Sequence, residues 1–187
     1  MTDRISRAAV VALFAVLGCS PAPTPPPAPG CASFDYAGYT PGAKQVSFKN
    51  DVVPIFARAC AFSTCHGANQ NPMGGLYLGP NVNNVMGNAS ATPPFYPPDD
   101  ATLARIHGGI VGAKGQLPVT MHLVEPGSPK DSFLMHKIDG DQACVDIACN
   151  PIATGKCGES MPQRSTPLDP AEAGAIRDWI AQGAMND

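Results

Sequence analysis

The sequence predicts a small all-α domain with long loops braced by disulfide bonds, and three observations support this prediction. Short apolar stretches follow helix-start signals, of which the clearest are Ser128-Pro129 and Asp169-Pro170. No stretch shows the sustained alternation of apolar and polar residues that is typical of strands. Three of the seven cysteines crowd into the loop-like segment 141–160. The 187-residue chain is long enough for one compact domain.

The N-terminus has the features of an export signal. Arg4 and Arg7 precede the apolar run 8–17, which is followed by a small residue and Cys19. A membrane-spanning helix needs about 20 apolar residues, whereas a basic start and a shorter run are typical of a signal peptide. The end of the run, Val-Leu-Gly-Cys, resembles a bacterial lipobox. We therefore predict a lipoprotein signal peptide over 1–18 and lipidation of Cys19, with ordinary cleavage at another small residue as the alternative.

Residues 19–30 are predicted to be a lipid-anchored linker. Their Pro-rich sequence favours extended polyproline II, which has no internal hydrogen bonds and serves as a semi-rigid spacer. The linker would hold the domain of residues 31–187 off a membrane. Ser20 after the lipidated cysteine resembles the sorting signal of outer-membrane lipoproteins, so we expect an exported, periplasmic, lipid-anchored protein. The net charge of −3 and the lack of a basic cluster argue against nucleic acid as a partner.

The most informative motif consists of Cys60, Cys65 and His66. It is a widened form of the C-x-x-C-H signature, in which two thiols attach haem covalently and the adjacent histidine is an axial ligand of the iron. Four residues separate the thiols here, where the standard signature has two. A local disulfide between the two cysteines, with no haem, is the alternative. Zinc is disfavoured because adjacent Cys and His side chains rarely both reach one tetrahedral ion.

Four further cysteines are candidates for disulfide bonds in an oxidising compartment: Cys31, Cys144, Cys149 and Cys157. Four cysteines allow three connectivities, and the sequence does not choose among them. Because three of them lie within 141–160, at least one bond should rigidify that loop. Cys31 would then connect the start of the domain to it.

Two helices are predicted in the first half of the domain. The first covers 52–60, is capped by Asn50 or Asp51, and carries Pro54 in its first turn, where proline is tolerated. The second begins at Asp99 or Asp100, runs through Leu103 and Ile106, and stops at Gly108-Gly109.

Two more helices are predicted in the second half. Ser128-Pro129 starts one that runs through Ile138, and Asp169-Pro170 starts one that ends near Gly183. Each has an acidic residue in its first turn, where a negative charge suits the helix dipole.

The order of these landmarks resembles small monohaem c-type cytochrome domains, particularly the planctomycete-type cytochrome c domain. The resemblance runs from about residue 47 to 184, and its pieces are Phe48–Phe56, Cys65-His66-Gly67, Gly74–Leu78, Glu125–Leu134, Met161-Pro162 and Ile176–Ala184. It implies a cytochrome c-like helical fold, one covalently bound haem c, and transfer of single electrons between periplasmic redox proteins by transient docking. The wider gap between Cys60 and Cys65 departs from the family pattern and bears on whether both thioethers form.

The resemblance also implies Met161 as the second axial ligand, opposite His66. A thioether is a soft donor that raises the haem potential relative to two histidines. Met121 is the runner-up, and three further methionines also rank below Met161, since most methionines are gap-filling residues: Met73, Met86 and Met135. The Pro72 carbonyl is the predicted acceptor for the second ring nitrogen of His66.

The three remaining histidines are predicted to be surface or cap residues: His107, His122 and His136. If Met161 is not a ligand, His122 is the first of them to test. Apolar side chains are expected to build a pocket of low dielectric around the haem: Phe56, Leu76, Leu134, Ile176 and Trp179.

Two other classes of function stay open on the sequence. One is a haem-binding gas sensor or peroxidase-like enzyme, in which the sixth iron position is open. The other is a haem-free, disulfide-stapled surface lipoprotein.

Overall fold

The computed structural model describes residues 34–80, 98–151, 156–163 and 165–187. They contain four α-helices: α1 (Val53–Ala59), α2 (Asp100–Ile110), α3 (Phe133–Asp139) and α4 (Pro170–Ala181). A π-helical turn (Phe48–Val52) precedes α1, and two 3-10 turns cover Met73–Gly75 and Pro129–Asp131. Extended segments in these ranges pair only through isolated bridges, and no strand forms among the described residues. The predicted all-α class is therefore confirmed for this part of the chain. The signal peptide, the linker, Cys19 and Cys31 lie outside the described residues.

The caps of α2 and α4 form as the sequence predicts. Asp169 accepts from the Glu172 amide at 2.9 Å and the Glu172 carboxylate accepts from the Asp169 amide at 3.4 Å, which completes a capping box. Asp99 caps α2 by accepting from the Thr102 amide at 2.7 Å. The predicted stop of α2 at Gly108-Gly109 is wrong, since the helix continues to Ile110. Burial of Ile110, which is 1% exposed, offsets the roughly 1 kcal/mol cost of each glycine.

The first helical segment starts earlier than predicted. Ser47, and neither Asn50 nor Asp51, is the cap, and its hydroxyl accepts from the Asn50 amide at 3.1 Å. Asp51 instead accepts from the Ser47 amide at 2.9 Å. The early start follows from packing, because Phe48 is fully buried and stacks on Trp179 with 5.0 Å between ring centroids.

The Ser128-Pro129 signal starts a 3-10 turn, and the predicted single helix is divided at Ser132. This residue has an extended backbone, and its buried hydroxyl accepts from the Glu125 amide at 2.8 Å and donates to the Ser128 carbonyl at 2.9 Å. These bonds replace the helical ones, and α3 begins only at Phe133. It ends at Gly140, whose φ of 74° requires the left-handed conformation that glycine adopts readily.

The main core lies between the first helical segment and α4. Its centre is Trp179, which is fully buried between apolar side chains of the other elements. The largest of its fully buried neighbours in the cluster are Phe48, Phe56, Ile106, Ile110, Met135, Ile176 and Ile180. Each such side chain contributes about 1.5–3 kcal/mol on burial.

The segment 34–46 packs on an ion pair that joins α3 and α4. Arg177 donates to Asp139 at 2.6 Å, and its guanidinium carbon lies 3.6 Å from the centroid of the Phe34 ring. Tyr36 donates to the same carboxylate at 3.0 Å. Burial raises the pKa of Asp139, and the neighbouring Arg177 opposes this shift.

A smaller core lies next to the disulfide-braced loop. Phe133, Ile147 and Cys157 form its centre. Cys157 is bonded to Cys149, so the predicted bracing of 141–160 is confirmed for this pair. Cys144 is disulfide-bonded as well.

We expect Arg177→Met to lower the free energy of unfolding by about 3 kcal/mol, because removing one partner leaves the Asp139 carboxylate buried without its counter-charge. Lys44→Met is the control: its ion pair with Asp51 is exposed, and its loss should cost less than about 0.5 kcal/mol. Urea unfolding measures both. Equal effects would show that the Arg177 pair contributes no more than a surface ion pair.

Candidate functional site

The four residues predicted to hold haem line one cavity of about 480 Å³. They are Cys60, Cys65, His66 and Met161. The walls come from three parts of the chain: the loop 59–78 after α1, parts of 109–138 including α3, and the segment 158–168 before α4. The volume lies in the range of ordinary ligand and cofactor pockets. Residues separated by about 100 positions in the sequence are thus brought to one site.

The four residues between the two thiols fold into a compact turn. The Cys65 amide donates to the Phe62 carbonyl at 2.8 Å, and the His66 amide donates back to the Cys60 carbonyl at 3.3 Å. The ends of the loop are therefore joined by a hydrogen bond, although the loop is longer than in the standard signature. This closure explains how the wider spacing still places both sulfur-bearing residues on the same cavity.

Gly67 makes this loop possible. A Cβ atom at this position would lie 2.1 Å from the Ala61 carbonyl oxygen. The Gly67 amide also donates to the Phe62 carbonyl at 2.9 Å, which holds the chain against that backbone. The glycine after His66 is thus required by close approach of two backbone segments.

The His66 ring is oriented by the Leu76 carbonyl, which lies 3.1 Å from Nδ1. The prediction that Pro72 supplies this carbonyl is wrong, because the Pro72 oxygen accepts from the Gly75 amide at 2.9 Å. The turn at Met73–Gly75 carries the chain back, so that Leu76 and not Pro72 faces the ring. A carbonyl only accepts, so we assign the proton to Nδ1, which leaves the lone pair of Nε2 for a metal. Burial lowers the pKa of His66 and favours this neutral form.

Both cysteines of the motif have free thiols, so the alternative of a local disulfide between Cys60 and Cys65 is not what the structure shows. Desolvation raises the pKa of Cys60 to about 12, which keeps its sulfur protonated at neutral pH.

The methionines occupy distinct places. Met161 lines the cavity, and its amide donates to the Lys137 carbonyl at 2.7 Å. Met121 packs against the small core and is not among the cavity-lining residues. Met135 is fully buried in the main core, and Met86 lies outside the described residues. Met73 also lines the cavity, but it belongs to the same loop as His66 and is 45% exposed.

The other three histidines lie away from the cavity lining. His122 pairs with Glu125 at 2.5 Å, and His107 contacts the Ala184 carbonyl at 2.7 Å through Nε2. The prediction of a surface or cap position is wrong for His136, which is 5% exposed. Its Nδ1 lies 2.7 Å from Asp141, and its Nε2 lies 3.0 Å from a backbone carbonyl. These two partners make burial of a polar ring possible and occupy both nitrogens.

The cavity wall is mainly apolar. Of the five predicted pocket residues, Leu76 and Leu134 line it, whereas the other three belong to the main core and not to the cavity: Phe56, Ile176 and Trp179. Their burial joins the first helical segment and α4 in the main core. The remaining apolar side chains of the lining include Leu78, Leu117, Leu123, Phe133, Ile138 and Leu168.

Sequence reasoning missed Lys137, a buried polar residue of the wall. It is 6% exposed, and its amine donates to the Cys157 carbonyl at 3.0 Å and to the Glu159 carbonyl. Desolvation lowers its pKa to about 8. Helical spacing was the one signal in the sequence that could have indicated this position. Lys137 lies four residues after Phe133 and therefore on the same face of the helix.

Comparisons with protein-family models, with curated proteins and with solved structures gave no match to this chain. Within the described residues, no group of three or more His, Cys, Asp or Glu side chains is arranged to hold a metal ion. In the same part of the chain, no helix is both long and apolar enough to cross a membrane.

We expect Gly67→Ala to lower the free energy of unfolding by roughly 1–3 kcal/mol or more, because the new methyl group would overlap the Ala61 carbonyl. Gly174→Ala is the matched control, since this α4 glycine has open space around the added methyl group. It should raise stability by about 0.5–1 kcal/mol. Denaturant unfolding measures the free energy of unfolding of both variants. An unchanged value for Gly67→Ala would contradict the close approach of the two backbone segments.

Proposed function

We propose that this chain is a lipid-anchored monohaem c-type cytochrome that carries single electrons between periplasmic redox partners. One observation supports this more than any other: the two free thiols, the oriented His66 and Met161 line a single apolar cavity. The proposal includes the export signal, the lipid at Cys19 and lipid anchoring at the outer membrane, all of which rest on the sequence.

The donor set fits haem c and suits few other groups. Two free thiols beside an imidazole with an available Nε2 would suit covalent attachment of haem and one bond to its iron. Met161 supplies a soft thioether, which suits iron in haem and raises its potential. Haem supplies the one-electron change at iron when it is bound.

The chain itself contributes orientation and a dry environment. The Leu76 carbonyl fixes the His66 ring, and the loop closed between Cys60 and His66 holds the thiols. Apolar walls keep water away and lower the local dielectric, which tunes the potential. We expect partners to dock transiently through a small interface at the edge of the site.

The first test is the alkaline pyridine haemochrome spectrum of the full-length protein, expressed in a host with c-type haem maturation. We expect haem that stays bound through denaturation and a band position that reports two thioethers. Cys60→Ala and Cys65→Ala should each shift the band to that of one thioether, and the double variant should lose covalent haem. A colourless wild-type protein would overturn the proposed function and favour the haem-free surface lipoprotein.

The second test concerns the sixth ligand. Met161→Ala should raise binding of carbon monoxide to the reduced, haem-loaded protein at least tenfold, because it opens a position that the thioether fills. Met121→Ala, which changes the small core and not the cavity lining, is the control and should bind no more than wild type. Strong binding by wild type would favour the gas sensor or peroxidase-like protein. An effect of Met121→Ala alone would reverse the assignment of the two methionines.

A further inference from the structure

The segment that carries Met161 is held mainly from one helix. Lys137 on α3 contacts it at three points, through its own carbonyl to the Met161 amide and through its amine to the Cys157 and Glu159 carbonyls. Gln142 adds one bond, from its side-chain amide to the Gly158 carbonyl at 2.9 Å. Residues 157–161 have little regular structure. Hydrogen bonds nevertheless anchor the backbone at almost every position.

The disulfide alone does not position Met161. It fixes Cys157, and three residues of irregular chain remain between that anchor and Met161. The bond from the Lys137 amine to the Glu159 carbonyl lies within this interval, two residues before Met161. Loss of that bond would free the part of the loop nearest to the ligand.

Burial of the Lys137 amine costs free energy unless its hydrogen bonds offset that cost. Taking an ammonium group out of water is unfavourable, and an apolar residue in a wall of leucines would avoid the cost. Hydrogen bonds from a charged donor to carbonyls are among the stronger ones and offset part of it. The Lys137 amine thus forms its hydrogen bonds with the backbone of the Met161 loop.

We infer that Lys137 is the positioning residue for Met161, because its amine and carbonyl together hold the loop so that the thioether is presented to the cavity. The inference rests on the proposed function, in which Met161 is an axial ligand. Groups that orient a metal ligand affect metal binding by 10–100-fold when they are removed, and we expect an effect of that size here.

The experiment compares Lys137→Met with wild type in the full-length, haem-loaded protein. The substitution keeps an unbranched side chain of similar length and removes the amine. We expect covalent haem content to be unchanged, carbon monoxide binding to the reduced form to rise at least tenfold, and the methionine-to-iron charge-transfer band of the oxidised form to be lost. Lys156→Met is the matched control and should leave all three signals unchanged, since the Lys156 amine also donates to a backbone carbonyl, that of Val145 at 2.8 Å, but is exposed and does not line the cavity.

A readout without haem separates loop positioning from ligation. Hydrogen exchange of the peptide 157–163 should be at least tenfold faster in Lys137→Met, and that of α4 should be unchanged. If Lys137→Met does not fold, Lys137→Gln takes its place, since it keeps a neutral donor and should show smaller changes in the same direction.

Comparison with Met161→Ala identifies which idea fails. If Lys137 acts through Met161, the double variant should bind carbon monoxide as Met161→Ala does, with no additional effect. A wild-type ligand band and wild-type exchange in Lys137→Met, beside an open site in Met161→Ala, would overturn the positioning role and leave the proposed function intact. A wild-type protein without haem would overturn both.

Discussion

The stacking of Phe48 on Trp179 is the interaction on which the rest of the structure depends. It joins the first helical segment to the last helix, although the two rings are far apart in the sequence. The carboxyl end of the chain strengthens this junction, because Asp187 accepts from the Phe48 and Lys49 amides at 2.9 and 3.0 Å. Because the first helical segment is joined to the last helix, α1 has a fixed direction, and its carboxyl end places Cys60 at the cavity.

The positions of the site residues then follow from successive local hydrogen bonds of the backbone. Cys60 terminates α1 by donating its amide to the Phe56 carbonyl at 2.8 Å, and the loop closes six residues later at His66. The Leu78 amide donates to the His66 carbonyl at 2.8 Å, so the histidine backbone is held from both sides. The wider thiol spacing is accommodated because Ser63 and Thr64, in the middle of the loop, are exposed between two fixed ends. The placement of Cys60 and His66 therefore depends on the ends of the loop more than on its length.

Local signals in the sequence predict the parts of the fold that local chemistry determines. The capping box at Asp169 and the cap at Asp99 form as expected because each involves atoms within four residues. Errors arise where distant packing outweighs local propensity. Ile110 extends α2 past two glycines because it is buried, and Phe48 moves the first cap back to Ser47 because its ring must reach Trp179.

The candidate site shows the same contrast between features set by local sequence and features set by the rest of the fold. The residues Cys60, Cys65 and His66 are recognisable from their spacing, and Met161 from its place before a capped helix. Which carbonyl orients His66 depends on the turn at Met73–Gly75, whose backbone a sequence motif does not specify.

The distribution of polar partners also favours a methionine over a histidine as the proposed second ligand. A histidine ligand needs one ring nitrogen free and the other held by an acceptor. His136 has both nitrogens engaged, and His122 and His107 are each bonded to groups outside the cavity lining. A thioether needs no such second partner, so its position can be set entirely by the backbone that carries it. Fixing that backbone requires buried donors, and in this fold the Lys137 amine supplies two of the bonds. A methionine side chain forms no strong hydrogen bonds of its own. Its position therefore depends on the backbone, which a buried cation, Lys137, helps to fix.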